Sequence, residues 1–219
     1  MPKTIAIVGA MDTKGEEFKF VKDEIERRGH RTFVIDTGVV GESAFIKADI
    51  SNAQVAEASG TTIEALKSRN DRGVAIEAMA RGVAEIVQII HANGTIDGMI
   101  SMGGSAGTSV GTSAMRVLPV GFPKVMVSTV AAGDTTNYVG TKDVVMMPSV
   151  VDVAGVNRIS RQIFSNAAGA IVGMVETEVA EAEDKPLITA SMFGNTTEAV
   201  DQARAIMERQ GYEVLVFHC

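Results

Sequence analysis

The sequence predicts an α/β fold in which a parallel sheet carries helices on both of its faces. Three observations lead to this prediction. Short apolar runs without polar alternation recur along the 219 residues, as in parallel strands buried on both sides. Stretches of helical periodicity separate these runs, and glycine-rich segments follow several of them. This order is typical of a Rossmann-like sheet, here followed by the first βαβ unit of a second, similar domain.

Five apolar runs of strand length are expected to form the first sheet. They comprise residues 4–8, 31–36, 97–102, 124–129 and 143–147. The runs are rich in Val, Ile and Met, which suits strands with both faces covered. Because helical stretches separate successive runs, the strands are expected to be parallel.

Helices are expected between and after these strands. They comprise residues 16–28, 53–58, 63–67, 71–93, 108–117 and 156–175. Thr13 and Glu16 have the spacing of a capping box, which predicts the start of the first helix. Gly29 and Gly94 follow the first and the longest helix, where a left-handed residue commonly ends a helix.

The C-terminal part of the sequence repeats the pattern of its beginning. A polar stretch at 176–186 predicts a linker between a first domain, residues 1–175, and residues 187–219. Strand, helix, glycine and strand then recur, with Gly211 standing where Gly29 stands in the first copy. A single βαβ unit cannot bury both of its faces, so residues 187–219 are expected to begin a longer, truncated domain.

Composition excludes several classes of function. Asp and Glu number 27 against 20 Lys and Arg, and a formal net charge of −7 disfavours a nucleic-acid binder. No apolar run approaches the roughly 18 residues of a membrane helix, and the N-terminus does not resemble a signal peptide. The single Cys, at position 219, permits no intrachain disulfide. We therefore expect a cytoplasmic protein that binds neither nucleic acid nor membrane.

The strongest candidate site follows the third strand. Glycines let a backbone approach a ligand closely, and free amides at a helix N-terminus favour an anion. A phosphate or carboxylate site is therefore predicted at Gly103, Gly104, Ser105, Ala106, Gly107 and Thr108. The alternative is a turn that needs glycine only for packing. The segment matches neither a Walker A motif nor a dinucleotide-binding fingerprint.

Loops after the other strands supply further candidates, because open parallel sheets bind ligands beyond the carboxyl ends of their strands. These candidates are Gly9, Asp12, Thr13, Asp36, Ser128, Thr129, Gly133 and Asp134. Asp36 is placed to accept from ribose hydroxyls, with a turn as its alternative role. Asp134 or Asp143 are candidates to hold Mg²⁺ through water. Lys124 and Arg116 are the nearest cations in sequence, and no catalytic residue is assigned.

Several motifs resemble the family of the tomato mosaic virus resistance protein. They lie at residues 103–108, 115–124, 127–129, 133–134 and 149–157. The resemblance covers essentially the whole chain and implies two Rossmann-like domains, ATP binding in the first of them, and dimers. In the plant member, this region blocks a viral replication protein.

Residues and resemblance together predict a domain that binds ATP, with Mg²⁺, through the glycine-rich junction. Two alternatives stay open. One is a metabolic enzyme acting on a small phosphorylated or carboxylated substrate in an interdomain cleft. The other is a homodimeric scaffold, stabilised by ATP, that binds a protein partner. In the scaffold, small residues of the long helix such as Ala78 and Gly82 would form the dimer surface.

Overall fold

The computed structural model describes residues 1–180 and 184–218, which divide into two compact units between Thr177 and Glu178. A five-stranded sheet of order β2-β1-β3-β4-β5 runs through the first unit, and each neighbouring pair of strands is parallel. Its strands are β1 (Thr4–Gly9), β2 (Arg31–Asp36), β3 (Gly98–Gly103), β4 (Lys124–Ser128) and β5 (Val145–Pro148). The predicted Rossmann-like α/β fold is therefore confirmed.

Helices cover both faces of this sheet. They are α1 (Met11–Arg27), α2 (Asn52–Ala58), α3 (Ile63–Arg69), α4 (Arg72–Ala92), α5 (Ser105–Arg116), α6 (Thr136–Val139) and α7 (Arg158–Glu176). Alternate residues of each strand point to opposite faces. Ile5 and Ile7 of β1 accordingly pack in one core with α1 and α7, whereas Ala6 and Val8 pack in the other with α2, α4 and α5.

The small residues of α4 pack inside the first unit. Ala78 and Gly82 are both buried, and a side chain at Gly82 would overlap the carbonyl oxygen of Val55 in α2. Glycine therefore allows two helix backbones to approach each other closely. The expectation that Ala78 and Gly82 form a dimer surface is wrong, because α2 and the core already cover them.

Helix α1 begins at Met11, earlier than predicted, and the capping box of Thr13 and Glu16 is not formed. Its N-cap, Ala10, has no capping side chain. Instead, the carboxylate Oδ1 of Asp36, at the end of β2, accepts a hydrogen bond of 3.0 Å from the Met11 amide. Lys14 then interrupts the helical geometry with φ −132° and ψ 25°. A cap that comes from another strand leaves no signal in the local sequence.

Helix α5 also begins earlier than predicted, at Ser105 instead of residue 108. Gly104 is the N-cap in extended conformation, and its carbonyl accepts a 2.8 Å hydrogen bond from the Thr108 amide. The predicted glycine-rich loop is therefore a tight junction of Gly103 and Gly104 between strand and helix. Helix α7 follows a capping box of Asn157 and Ser160.

The second unit is a βαβ unit, which agrees with the repeat seen in the sequence. Parallel strands β6 (Leu187–Met192) and β7 (Glu213–His218) flank helix α8 (Thr197–Arg209). Residues 181–183 of the predicted linker and Cys219 lie outside the described residues. Within the described ranges, every helix is too short or too polar to cross a membrane.

Candidate functional site

A cavity of about 750 Å³ opens at the carboxyl end of the sheet in the first unit. The first turn of α1 forms one wall, and residues 37–40 after β2 form a second. The junction of β3 with α5 forms a third wall, and the corner between α3 and α4 forms a fourth. This location follows the rule that open parallel sheets bind ligands beyond the carboxyl ends of their strands.

The N-terminus of α5 presents unused hydrogen-bond donors to this cavity. The amides of Ser105, Ala106 and Gly107 have no acceptor among the residues that the structure describes. Gly104 offers no capping side chain, and each of these residues lines the cavity. Amides in this arrangement, together with the positive end of the helix dipole, favour an anion.

Packing explains some of the glycines at this junction, as the alternative interpretation proposed, but not all of them. A Cβ on Gly103 would lie 2.9 Å from the Gly107 Cα, so the strand and helix could not meet as closely. At Gly104, the nearest atom to a Cβ would be the Thr129 Oγ1 at 3.7 Å, an ordinary contact. Packing inside the protein therefore does not require glycine at position 104, which faces the cavity.

Asp12 joins two walls of the cavity. Its Oδ2 accepts hydrogen bonds from the amides of Val40, at 2.7 Å, and Gly41, at 3.3 Å. A side chain at Gly38 would overlap the Asp12 carboxylate, so the chain passes directly against it. The Asp12 Oδ1 is buried without a hydrogen-bond partner in the described part of the chain. Asp12 thus holds the wall formed by Val39 and Val40 in place.

The other candidates after β1 divide between the cavity and the core. Thr13 lines the cavity beside Asp12. Gly9 does not, and a side chain there would overlap the ring of Phe18. Core packing therefore requires glycine at position 9.

Asp36 is not one of the residues that line the cavity. Asp36 is only 7% exposed, and its Oδ1 accepts hydrogen bonds from the Met11 and Gly38 amides at 3.0 and 2.8 Å. Burial raises the pKa of Asp36 above its ordinary value, against the lowering effect of these two hydrogen bonds, while the Asp12 charge raises it further. Asp36 is therefore placed to hold the start of α1, not to meet a ribose.

The raised pKa of Asp36 predicts a specific pH dependence. The folded state holds this proton more tightly than the unfolded chain, so ionisation of Asp36 lowers the free energy of unfolding as pH rises from about 4 through the raised pKa. Asp36→Asn keeps an acceptor for both amides and removes this ionisation. Urea unfolding at several pH values should show that the variant gains stability relative to wild type as pH rises. A constant difference across that range would contradict the assignment.

Thr108 of α5 and the candidates at the end of β4 and beyond do not line the cavity. Thr108 and Ser128 are buried, and their hydroxyl oxygens lie 2.6 Å apart in a hydrogen bond. The Asp134 carboxylate accepts from the Thr136 amide at 2.9 Å, and hydrogen bonds from Thr136 lower its pKa. The candidates outside the cavity walls in this region are Thr108, Ser128, Thr129, Gly133 and Asp134.

Lys124 and Asp143 lie at the opposite end of the strands from the cavity, where β4 and β5 begin. The fully buried Lys124 Nζ donates to the carbonyls of Pro119 and Phe122 at 2.8 and 2.7 Å and pairs with the Asp143 Oδ1 at 2.9 Å. Partial burial opposes ionisation of Asp143, but the Lys124 ammonium outweighs it and lowers the pKa of that carboxyl. Arg116 donates to backbone carbonyls of α6. These groups are engaged away from the cavity, so neither Asp143 nor the two cations meet a ligand there.

The sequence reasoning missed the cations that line the cavity. Lys14 lies at the interruption of α1, Lys67 in the last turn of α3, and Arg72 at the first position of α4. The corner between α3 and α4 follows a helix, so the rule of strand ends does not identify it. The N-cap Asp71 before a long apolar helix was the one local signal for this corner.

Carboxylates in the cavity walls are Asp12, Asp71 and Asp152. Across the described ranges, no three His, Cys, Asp or Glu side chains come close enough to hold a metal ion by themselves. Any Mg²⁺ at this cavity would therefore need oxygen ligands from a bound molecule and from water.

Comparison with known proteins places this chain beside proteins from bacteria and plants. Residues 3–180 and 185–219 match the models of the N-terminal and C-terminal domains of the uncharacterised protein family UPF0261. A UPF0261 protein of Clostridium tetani is 53% identical over 100% of this chain and 54% of its own length. The ToMV resistance protein Tm-1(GCR237) of Solanum lycopersicum is 34% identical over 96% of this chain and 31% of its own length. The chain thus spans about half the length of the bacterial relative, and less of the plant protein.

Solved structures with similar folds are more distant. A UDP-N-acetylglucosamine 2-epimerase aligns with 98% of this chain and 63% of its own, at a TM-score of 0.40 and 11% identity. A putative UDP-N-acetylglucosamine 2-epimerase from Listeria monocytogenes aligns with 99% of this chain and 62% of its own, at a TM-score of 0.41 and 10% identity. Matches at this level carry no inference about a ligand.

Proposed function

Because this chain belongs to the UPF0261 family, as its motifs predicted through their resemblance to the plant member, we propose that its first unit binds ATP at the N-terminus of α5. One observation carries the proposal. The unused amides of residues 105–107 and the cations Lys14, Lys67 and Arg72 line the same cavity. Amides and cations together are the donors that protein sites offer to phosphate groups.

The cavity suits a nucleotide in size and in the character of its walls. About 750 Å³ lies in the range of small-molecule sites and exceeds what a single phosphate or carboxylate needs. The same cavity carries apolar wall residues, including Val39, Ile76 and Met79, against which a base can pack. The proposal therefore assigns the phosphates to the α5 amides and the base to this apolar wall.

Mg²⁺ belongs to the proposal as a companion of the phosphates. Mg²⁺ in nucleotide sites commonly uses one or two carboxylates, phosphate oxygens and water. Asp152 lines the cavity, and its carboxylate makes no hydrogen bond to the described residues, whereas Asp12 accepts from backbone amides. We therefore assign the protein ligand of Mg²⁺ to Asp152.

Isothermal titration of the chain with ATP, with and without Mg²⁺ and with AMP as the comparison, tests the proposal. We expect ATP to bind more tightly than AMP. Mg²⁺ should strengthen the binding of ATP but not that of AMP. Absence of heat at about 1 mM ATP, a weak-binding limit near −4 kcal/mol, would contradict ATP as the ligand. Binding of a small phosphate or carboxylate in place of ATP would favour the metabolic-enzyme alternative.

Gly104→Val should abolish the proposed binding while the protein stays folded. The Cβ meets no atom closer than 3.7 Å, but the branched side chain would occupy the space in front of the α5 amides. The loss of several amide hydrogen bonds to a charged group should weaken ATP binding by roughly 100-fold or more. Titration calorimetry, with melting temperature as the check on folding, measures this loss.

Gly133→Val is the matched control for this experiment. Gly133 was also a candidate from the sequence, but it lies outside the cavity, and a Cβ there would meet only the Val130 carbonyl oxygen at 3.6 Å. Its affinity for ATP should equal that of wild type. Equal affinities of Gly104→Val and wild type for ATP would show that ATP does not bind at the N-terminus of α5.

A further inference from the structure

We propose that Lys67 and Arg72 form a cationic clamp for the outer phosphates of the nucleotide, so that the cavity selects di- and triphosphates over monophosphates. The clamp is the corner of chain in which α3 ends and α4 begins. This inference rests on the proposed function of the same cavity, and it adds the class of ligand that the cavity prefers.

The backbone of the corner brings the two cations to one cavity. Asn70 ends α3 in the left-handed conformation, with φ 49° and ψ 34°. Asp71 then caps α4, where its Oδ1 accepts from the Gly73 and Val74 amides at 2.8 and 3.1 Å. Only Asn70 and Asp71 separate the two helices, and Lys67 before this turn and Arg72 after it both line the cavity.

The charges of Lys67 and Arg72 are not neutralised within the described chain. Neither side chain pairs with a carboxylate among residues 1–180 and 184–218, although the whole sequence carries a net charge of −7. Two of the three wall carboxylates, Asp12 and Asp71, already accept from backbone amides. An anion in the cavity would thus meet cations that have no internal partner.

Arg72 occupies a position in α4 that does not favour a cation. It is the first residue of the helix, where the positive end of the helix dipole and its amides disfavour a positive side chain. Lys67, in the last turn of α3, has the opposite and favourable position. Helix stability therefore does not account for Arg72, whereas its planar guanidinium suits two-point binding of a phosphate.

The two groups of donors suit a ligand with more than one anionic group. The α5 amides belong to one wall of the cavity, and the cations of the clamp belong to another. A monophosphate held on the α5 amides has no second group to offer the clamp. A di- or triphosphate has one, and inorganic triphosphate has the same groups without the base.

The experiment compares wild type with the double variant Lys67→Ala, Arg72→Ala and with Arg69→Ala. Arg69 is the matched control, because it is an exposed cation in the same corner that does not line the cavity. Titration with ATP, AMP and inorganic triphosphate at one fixed salt concentration supplies the affinities. The melting temperatures of wild type and both variants show whether each protein is folded. We expect both variants to fold, because Lys67, Arg69 and Arg72 are exposed.

We expect about tenfold weaker binding of ATP and of triphosphate for each cation removed, hence about 100-fold for the double variant. AMP should bind the double variant within about threefold of wild type, and Arg69→Ala should match wild type for every probe. Arg72→Lys, which keeps the charge and loses the planar fork, should bind ATP more weakly than wild type but more tightly than Arg72→Ala.

The outcomes separate this inference from the proposed function. If wild type binds neither ATP nor triphosphate, both proposals are overturned. If wild type binds ATP and the folded double variant binds it equally well, only the clamp is overturned. An equal loss of AMP and ATP in the double variant would also overturn the clamp, because the cations would then serve the first phosphate.

Discussion

Gly82→Val should destabilise the first unit by about 3 kcal/mol, because overpacking against a backbone cannot be relieved by a side-chain rotation. A side chain at Gly82 would overlap the Val55 carbonyl oxygen and come close to the Ser59 amide, both in or next to α2. Helices α2 and α4 would have to separate. For a chain of this length, we expect the melting temperature to fall by roughly 10 °C.

Gly173→Ala is the matched control, in another long helix. Gly173 lies in α7 and is exposed, and a Cβ added there would meet no neighbouring atom within 4 Å. Alanine there should stabilise the helix by up to about 1 kcal/mol. Thermal melts followed by circular dichroism compare the two variants. A melting temperature of Gly82→Val within about 2 °C of wild type would mean that α2 does not pack on α4 in this way.

Lys124→Met should have the second largest effect on stability. The ammonium uses its three donors on the Pro119 carbonyl, the Phe122 carbonyl and the Asp143 carboxylate. Methionine fills a similar volume but leaves these three acceptors without their donor. Removal of one partner from a buried charge pair costs about 3–5 kcal/mol, and the partial exposure of Asp143 reduces this to about 2–4 kcal/mol here.

Lys142→Met supplies the comparison for Lys124→Met. Lys142 donates one hydrogen bond, of 2.9 Å, to the Leu118 carbonyl, so its loss should cost only about 1 kcal/mol. Chemical unfolding of both variants gives the two free energies. Because Lys124 lies at the amino end of β4, away from the cavity, the affinity for ATP should be the same in Lys124→Met and wild type. Equal unfolding free energies in the two variants would show that Lys124 is not a buried anchor.

The sequence alone was sufficient to predict the sheet, because its signal is local. Each of the five strands is an apolar run, and both faces of β1 are buried as that run implies. The starts of α1 and α5 could not be found in the same way. Their caps are Asp36 from another strand and a glycine without a capping side chain, so neither start has a local motif.

The candidate site was predictable only in part. The strand-end rule located Gly104 and Asp12 at the cavity, since both follow buried strands. It also selected Asp36 and Ser128, because a sequence does not reveal whether a polar group faces a cavity or another buried polar group. Lys67 and Arg72 were missed because their corner joins two helices and its distance from α5 depends on the packing of α4.

The cap on α1 also predicts an order of folding. Asp36 is 25 residues beyond the amide that it caps. The first turn of α1 therefore gains its hydrogen bond only after β2 has aligned beside β1. The Met11 amide, which precedes the cavity residues Asp12 and Thr13, should be among the last to acquire protection in a refolding experiment followed by hydrogen exchange. The wall that α1 contributes at the carboxyl end of the sheet thus forms through the pairing of two strands, not through a helix that folds alone.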